Sequence, residues 1–134
     1  MTPVSFAAGA VVRLKHSATN STLRLLANGN ISPVGEGTDE WVVVDRGNNI
    51  FSLQNKASPS HYVRIDSFGV SSTGGGDRWS YLEAYSSNDG DWFGIFSVAN
   101  NLDGSVPFFL AFNAEGEVEP KATNAFSESK FAFA

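Results

Sequence analysis

The sequence contains no cysteine among its 134 residues, one methionine and only two histidines. Without cysteine the chain forms no disulfide and no thiolate metal site, so packing alone must hold its fold. Basic residues are also few, because 9 lysines and arginines face 14 aspartates and glutamates and the formal net charge is −5. Phosphate binding requires clustered basic residues, so this scarcity argues against nucleic acid and anionic membrane surfaces as partners.

Long apolar runs are missing as well. The opening MTPVSFAAGAVVRLKH has no basic leading region and no sustained apolar stretch before Arg13. Neither a signal peptide nor a membrane-spanning helix is therefore predicted. We expect a cytoplasmic protein without membrane insertion, with export by a signal-independent route as the alternative.

Aromatic residues and glycine are abundant instead. The chain has 11 Phe, 3 Trp, 3 Tyr and 13 Gly, and 42% of its residues are hydrophobic. Aromatic and β-branched side chains suit half-buried strands, and scattered glycines indicate frequent turns. Because no window of more than about ten residues shows a clean helical period, the composition predicts an all-β protein.

An internal pattern recurs three times. A short strand turns through a glycine into a β-branched residue, and a strand led by an aromatic residue follows. The three hairpin segments are TLRLLANGNI (residues 22–31), YVRIDSFGV (62–70) and FFLAFNAEGEV (108–118), and the following strands are EWVVVD at Trp41, RWSYLEAY at Trp79 and KFAFA at Phe131. The opening strands are also alike, with IFSLQNK from Ile50, IFSVANN from Ile95 and a fainter VVRLKHS from Val11.

These repeats predict a single domain of residues 1–134 built from three units, at about 10–48, 49–90 and 91–134. Three four-stranded units give twelve short strands, which can close into a barrel and remove its edges. Equivalent side chains then meet at the axis, and burying each contributes about 1.5–3 kcal/mol. The expected sets are Leu14, Leu53 and Val98, and Trp41, Trp79 and Phe131.

The pattern resembles the β-trefoil superfamily over almost the whole chain. The Gln-any-Trp motif of ricin-type trefoils is absent, because the corresponding places read DEW, DRW and SKF. The cysteine-free, Gly- and Asn-rich chain is more similar to small cytosolic mushroom lectins, of the mannose-binding lectin and tyrosinase light subunit type. That resemblance implies a fungal, mannose-type carbohydrate-binding protein.

Polar and aromatic residues at the turns supply candidates for sugar binding. Sugar recognition needs an aromatic face for the apolar side of the ring and fixed Asn or Asp groups for its hydroxyls. The candidates are Asn28, Asn30, Asp66, Phe68, Asn88, Asp89, Asp91, Trp92 and Asn113. Each also has a structural alternative: Trp92 in the core, Phe68 folded onto the barrel, and Asn28 and Asp66 stabilising their own turns.

Catalysis, cofactors and metals are not predicted. The sequence has no nucleophile elbow, phosphate loop or zinc-helix motif. His16 and His61 lie near strand ends, and we expect exposed loop histidines there rather than metal ligands or pH switches. Asp89 and Asp91 have a spacing that can bind calcium, but the rest of a calcium loop is missing, and a turn explains them equally well.

We therefore expect a non-catalytic carbohydrate- or glycoprotein-binding protein. The alternative is a protein-binding trefoil: a protease inhibitor, an accessory subunit of an enzyme, or a fascin-like binder. Loops projecting from a rigid barrel suit that use too, and the best candidate for an inhibitor loop is the KATNAFSES segment (residues 121–129). A fascin-like role requires a basic surface for acidic actin, which the charge of −5 opposes.

Overall fold

The computed structural model describes residues 4–66, 69–74, 78–86, 92–98, 109–112, 118–121 and 131–133. Strands of the first third of the chain are β1 (Val11–Val12), β2 (Leu14–His16), β3 (Arg24–Leu26), β4 (Ile31–Ser32), β5 (Gly37–Thr38) and β6 (Trp41–Gly47). The middle third has β7 (Ile50–Asn55), β8 (Tyr62–Asp66), β9 (Gly69–Gly74), a 3-10 helix (Arg78–Ser80) and β10 (Leu82–Ser86). The last third has β11 (Phe93–Ser97), β12 (Phe109–Phe112), β13 (Val118–Lys121) and β14 (Phe131–Phe133). Within these ranges no helix is long and apolar enough to cross a bilayer.

The barrel is a closed ring of antiparallel strands. β6 pairs with β1 and β7, β10 pairs with β7 and β11, and β14 pairs with β11 and β2. Because β1 and β2 are the two halves of one strand, separated by Arg13, this pairing returns to its starting point. Ring closure satisfies the strand edges that would otherwise invite association with another chain.

The same register occurs three times around the ring. One set of partners is Val12–Trp41, Phe51–Leu82 and Phe93–Phe131. The other set is Trp41–Asn55, Leu82–Ser97 and Phe131–His16. The threefold organisation inferred from the repeats is thus present in the backbone pairing.

Each third of the chain also contributes a hairpin: β3–β4, β8–β9 and β12–β13. Leu23, directly before β3, Val63 in β8 and Leu110 in β12 are completely buried. The architecture is the predicted all-β trefoil. It has fourteen strands in the described residues rather than twelve, because Arg13 divides one strand and β5 adds a third strand beside β3.

Two of the three aliphatic residues that were predicted to meet at the barrel axis are correct. Leu14 and Leu53 are both completely buried, whereas Val98 is half-buried in the turn after β11, and Ile95 takes the core position. The matching letters IFSL and IFSV led to an alignment that is wrong by three residues. An odd shift along a strand moves every side chain to the opposite face, so Val98 leaves the core.

The predicted equivalence of Trp79 with Trp41 and Phe131 is also wrong. Trp79 is half-buried in the 3-10 helix, and Leu82 pairs where Trp41 and Phe131 pair in the other units. Trp41 itself is completely buried, and its indole Nε1 donates to the carbonyl of Leu23 at 3.0 Å. That bond satisfies the polar atom that burial would otherwise leave without a partner.

His16 lies in the core and not in an exposed loop as expected. It is 1% exposed, its ring lies 5.2 Å from that of Phe131, and its Nδ1 is 3.1 Å from the Thr19 hydroxyl. Asn55 and Ser97 occupy the equivalent strand positions and are also buried. A layer of polar side chains therefore follows the apolar layer of Leu14, Leu53 and Ile95.

The opposite end of the barrel is covered by the N-terminal segment. The ring of Phe6 meets that of Phe51 edge-on at 4.8 Å and that of Phe93 at 5.3 Å. Phe51 and Phe93 are the equivalents of Val12, so Phe6 packs against this layer of the core. Backbone bonds from Val4 to Ala84, at 2.8 Å, and from Gly9 to Val43 hold the segment in place.

Candidate functional site

A cleft of about 540 Å³ lies where the first hairpin meets the middle third of the chain. We call it the hairpin cleft. Its apolar wall is formed by Leu25, Leu26 and Ala27, and its polar groups come from Asn28, Glu36, Thr38, Ser58 and His61. Segments that are distant in sequence therefore meet at this one site.

Asn28, one of the predicted sugar-binding residues, lines the hairpin cleft. Its side-chain oxygen accepts a hydrogen bond from the backbone N–H of Asn30 at 3.0 Å, so it also stabilises its own turn. Gly29 has a φ of +87°, a conformation that favours glycine. Among the described residues, the Asn28 amide nitrogen donates to no protein acceptor, so it can serve a ligand.

His61 stands on the other side of the cleft. Its backbone N–H donates to the carbonyl of Ser58 at 3.0 Å, and its own carbonyl accepts from the N–H of Asn55. The ring Nδ1 lies 3.1 Å from the hydroxyl of Ser72, which in turn donates to the carbonyl of Gly29 at 2.6 Å. Ser72 therefore connects the histidine to the turn that carries Asn28.

Beneath the cleft, Asn55 holds the surrounding loops. It is completely buried, and its side-chain oxygen accepts from the Thr38 hydroxyl at 3.0 Å and from the N–H groups of Ala57 and Ser58 at 3.1 and 3.0 Å. Its amide nitrogen donates to the Thr38 carbonyl at 3.3 Å. One side chain thus fixes both β5 and the loop before His61, so the cleft walls are set before a ligand arrives.

A second depression of about 420 Å³ adjoins the hairpin cleft and shares Gly37 and Thr38 with it. It is lined further by Asp39, Glu40 and Lys56. Arg13 pairs with the two acids, at 3.2 Å to Asp39 and 3.5 Å to Glu40, and all three side chains are partly exposed. Such pairs contribute little stability, about 0–1 kcal/mol, but they balance the charge beside the cleft.

Two further predicted site residues are fully described by the structure, and they lie outside this cleft. Asn30 is exposed, and Trp92 is half-buried directly before β11; neither lines it. Asp66 ends β8 opposite Gly69, and its side chain lies outside what the structure describes. The remaining candidates that lie outside the described residues are Phe68, Asn88, Asp89, Asp91 and Asn113.

Glu36 and His61 were missed as site residues by sequence reasoning. Within the described ranges Glu36 forms no ion pair, and no group of three or more His, Asp or Glu side chains is placed to hold a metal ion. The hairpin cleft therefore offers hydrogen-bonding groups and an apolar wall.

Comparison with known proteins supports the architecture alone. No protein-family model matches the sequence, and no curated protein does. Among solved structures, the chain is similar to the crystal structure of a designed threefold symmetric protein, ThreeFoil, with a TM-score of 0.73 and 10% sequence identity. The match covers 92% of this chain and 97% of the designed one. At that identity the likeness speaks for the fold only, and the fold is a β-trefoil.

Proposed function

We propose that this chain is a non-catalytic, lectin-like carbohydrate-binding protein whose site is the hairpin cleft. The observation that carries the proposal is the meeting of Asn28, Glu36 and His61 beside an apolar wall in one cleft. Sugars present hydroxyls around the ring edge and C–H groups on the faces, so they need this combination of polar and apolar groups. A volume of about 540 Å³ also falls within the usual range of small-molecule sites.

The polar groups are suited to hydroxyl recognition. The Asn28 amide donates, the Glu36 carboxylate accepts, and the Ser58 hydroxyl can do either. The Thr38 hydroxyl gives its proton to Asn55, so toward a ligand it can only accept. Among the residues that the structure describes, Trp92 does not line the cleft, and the apolar wall of Leu25, Leu26 and Ala27 takes the place of the expected aromatic face.

Binding without reaction suits this set of residues. Most glycoside hydrolases place two carboxylates on opposite sides of the bond that they cleave. Of the described residues lining the hairpin cleft, Glu36 alone carries a carboxylate. We further propose, from the resemblance to mushroom lectins, that the ligand is of the mannose type, that the source is fungal and that the protein is cytoplasmic.

A glycan array followed by calorimetry tests the proposal. Asn28→Asp keeps the oxygen that accepts from Asn30 but removes the amide donor, and Glu36→Gln removes the charge of the acceptor. We expect each change to weaken binding of a retained glycan about tenfold, which corresponds to about 1.4 kcal/mol.

Asn48→Asp is the matched control, because Asn48 is exposed in a turn with a positive φ of 55° and lies outside the hairpin cleft. It adds the same charge as Asn28→Asp and should leave affinity unchanged. The proposal would be overturned if the protein bound no glycan on the array, or if Asn28→Asp and Asn48→Asp weakened glycan binding equally.

A further inference from the structure

The hydrogen-bond pair around Ser72 determines where its proton lies. The Ser72 hydroxyl oxygen is 2.6 Å from the carbonyl oxygen of Gly29. A carbonyl oxygen has no proton to give, so the serine must donate its single proton there. Toward any other partner the Ser72 oxygen is then an acceptor.

The second partner of Ser72 is His61. The ring Nδ1 lies 3.1 Å from the serine oxygen, and two acceptors at that distance would repel each other. Nδ1 must therefore carry the proton, and in a neutral imidazole the other nitrogen, Nε2, is left as an acceptor. This is the tautomer that histidine disfavours in water, so the protein selects it.

We propose that Ser72 is a positioning residue that holds His61 as a hydrogen-bond acceptor, so that the hairpin cleft selects ligands that donate hydroxyl protons. The inference rests on the proposed carbohydrate-binding function and deepens it by naming the ligand chemistry. With Nε2 of His61 and the carboxylate of Glu36 both accepting, the cleft matches neutral polyhydroxyl sugars. Sulfated and carboxylated sugars bring anionic acceptors to the same groups and are disfavoured.

Ser72 is well placed for this role. It is 2% exposed and belongs to β9, whereas Gly29 belongs to the turn of the first hairpin. Its hydroxyl therefore joins two hairpins across a repeat boundary. His61 cannot exchange its tautomer without losing the bond to Ser72, since the serine proton is already committed to Gly29.

Nitrogen NMR of the uniformly labelled protein tests the proton assignment without any ligand. The chain has only two histidines, so His61→Gln assigns both rings at once, and His16 serves as an internal reference. At about pH 8.5, where an ordinary histidine is neutral, we expect a protonated Nδ1 and an unprotonated Nε2 for His61. A protonated Nε2 in the unmodified protein overturns the inference, whatever the protein binds.

The serine variants separate positioning from simple structural support. Ser72→Ala should move the His61 proton to Nε2 while the His16 resonances stay in place, and Ser72→Thr, which keeps a hydroxyl, should restore the original tautomer. With the glycan that the array retains, Ser72→Ala should lower affinity about tenfold and reduce the preference for neutral over sulfated forms. A changed tautomer with unchanged affinity and unchanged preference would overturn the selective role.

Failure of the inference is distinguishable from failure of the proposed function. If no glycan binds although Nδ1 of His61 is protonated, carbohydrate binding is wrong and its ligand selectivity falls with it, while the proton assignment stands. If a glycan binds but Nε2 is protonated, the function stands and the role of Ser72 is wrong.

Discussion

Phe131 pairs with His16, so a strand near the end of the chain lies beside a strand near its beginning. Phe131 is completely buried, and its ring contacts that of His16 at 5.2 Å. The same phenylalanine pairs with Phe93 on its other side. This one residue therefore joins the first and last thirds of the chain and closes the ring.

Phe131→Ala should destabilise the protein by about 3–5 kcal/mol, because truncating a buried phenylalanine removes apolar contact and leaves a cavity. That is a large part of the 5–15 kcal/mol typical of whole domains. Denaturant unfolding measures it. Val34→Ala is the control, since Val34 is 57% exposed and should change stability by less than about 0.5 kcal/mol. Equal effects of the two changes would show that the ring does not close through Phe131.

Gly37→Ala should both destabilise the protein and weaken ligand binding. A Cβ at Gly37 would lie 2.5 Å from the carbonyl oxygen of Leu25, closer than real Cβ atoms come to a non-bonded neighbour, so β5 would have to move. Overpacking of this kind costs about 1–3 kcal/mol, and β5 borders the hairpin cleft. Thermal unfolding and calorimetry measure the two effects.

Gly69→Ala is the matched control for that change, because a Cβ there meets nothing within 4 Å. Stability should be unchanged or slightly raised, since alanine restricts the unfolded chain. If both glycine substitutions behaved alike, close contact at β5 would not be the reason that glycine is needed there.

Tyr85 should titrate at a higher pH than an ordinary tyrosine. Its hydroxyl donates to Glu83 at 3.0 Å, and this bond, followed by burial and by the Glu83 charge, raises the pKa of Tyr85 above 10.0. Since the folded pKa exceeds the unfolded value, the stabilisation is complete below pH 10.0 and is lost as the pH rises through the folded pKa.

Ultraviolet absorbance of the tyrosinate follows this titration. Glu83→Gln should lower the pKa of Tyr85 toward its ordinary value, because it removes the neighbouring charge and weakens the acceptor. Glu36→Gln, at a distant carboxylate in the hairpin cleft, should leave the Tyr85 titration as it is. If Glu83→Gln left the Tyr85 titration curve unchanged, Glu83 would not be the cause of the raised pKa of Tyr85.

The fold could be predicted because its signal is repeated three times along the chain. The residue-level equivalences were harder, and β11 shows why. All five of its residues, Phe93 to Ser97, are buried, so the alternation that would fix its register is missing. The matching letters IFSL and IFSV then made Val98, rather than Ile95, the predicted equivalent of Leu53. Trp79 was wrongly matched to Trp41 because it is the aromatic residue nearest the start of a strand. It lies in the 3-10 helix of Arg78–Ser80, and the equivalent of Trp41 is Leu82 in the strand that follows.

The candidate site was predictable only in part. Asn28 could be predicted because its sequence is typical of a turn. Glu36 and His61 come from other segments, and only folding brings them to the same cleft. The bond from Ser72 to Gly29 crosses between hairpins, and no local pattern reports it. Phe6 was missed for a related reason, since one aromatic residue before the first repeat carries no periodic signal.

The Asn28–Gly29 turn also bears on how the protein ages. An asparagine followed by glycine is the pair most open to spontaneous deamidation, because glycine leaves the next backbone nitrogen unobstructed for attack on the side-chain amide. Loss of ammonia and hydrolysis of the cyclic intermediate would place a carboxylate at the mouth of the hairpin cleft, beside Glu36. A stored preparation would then grow more anionic and lose affinity while its barrel stayed intact.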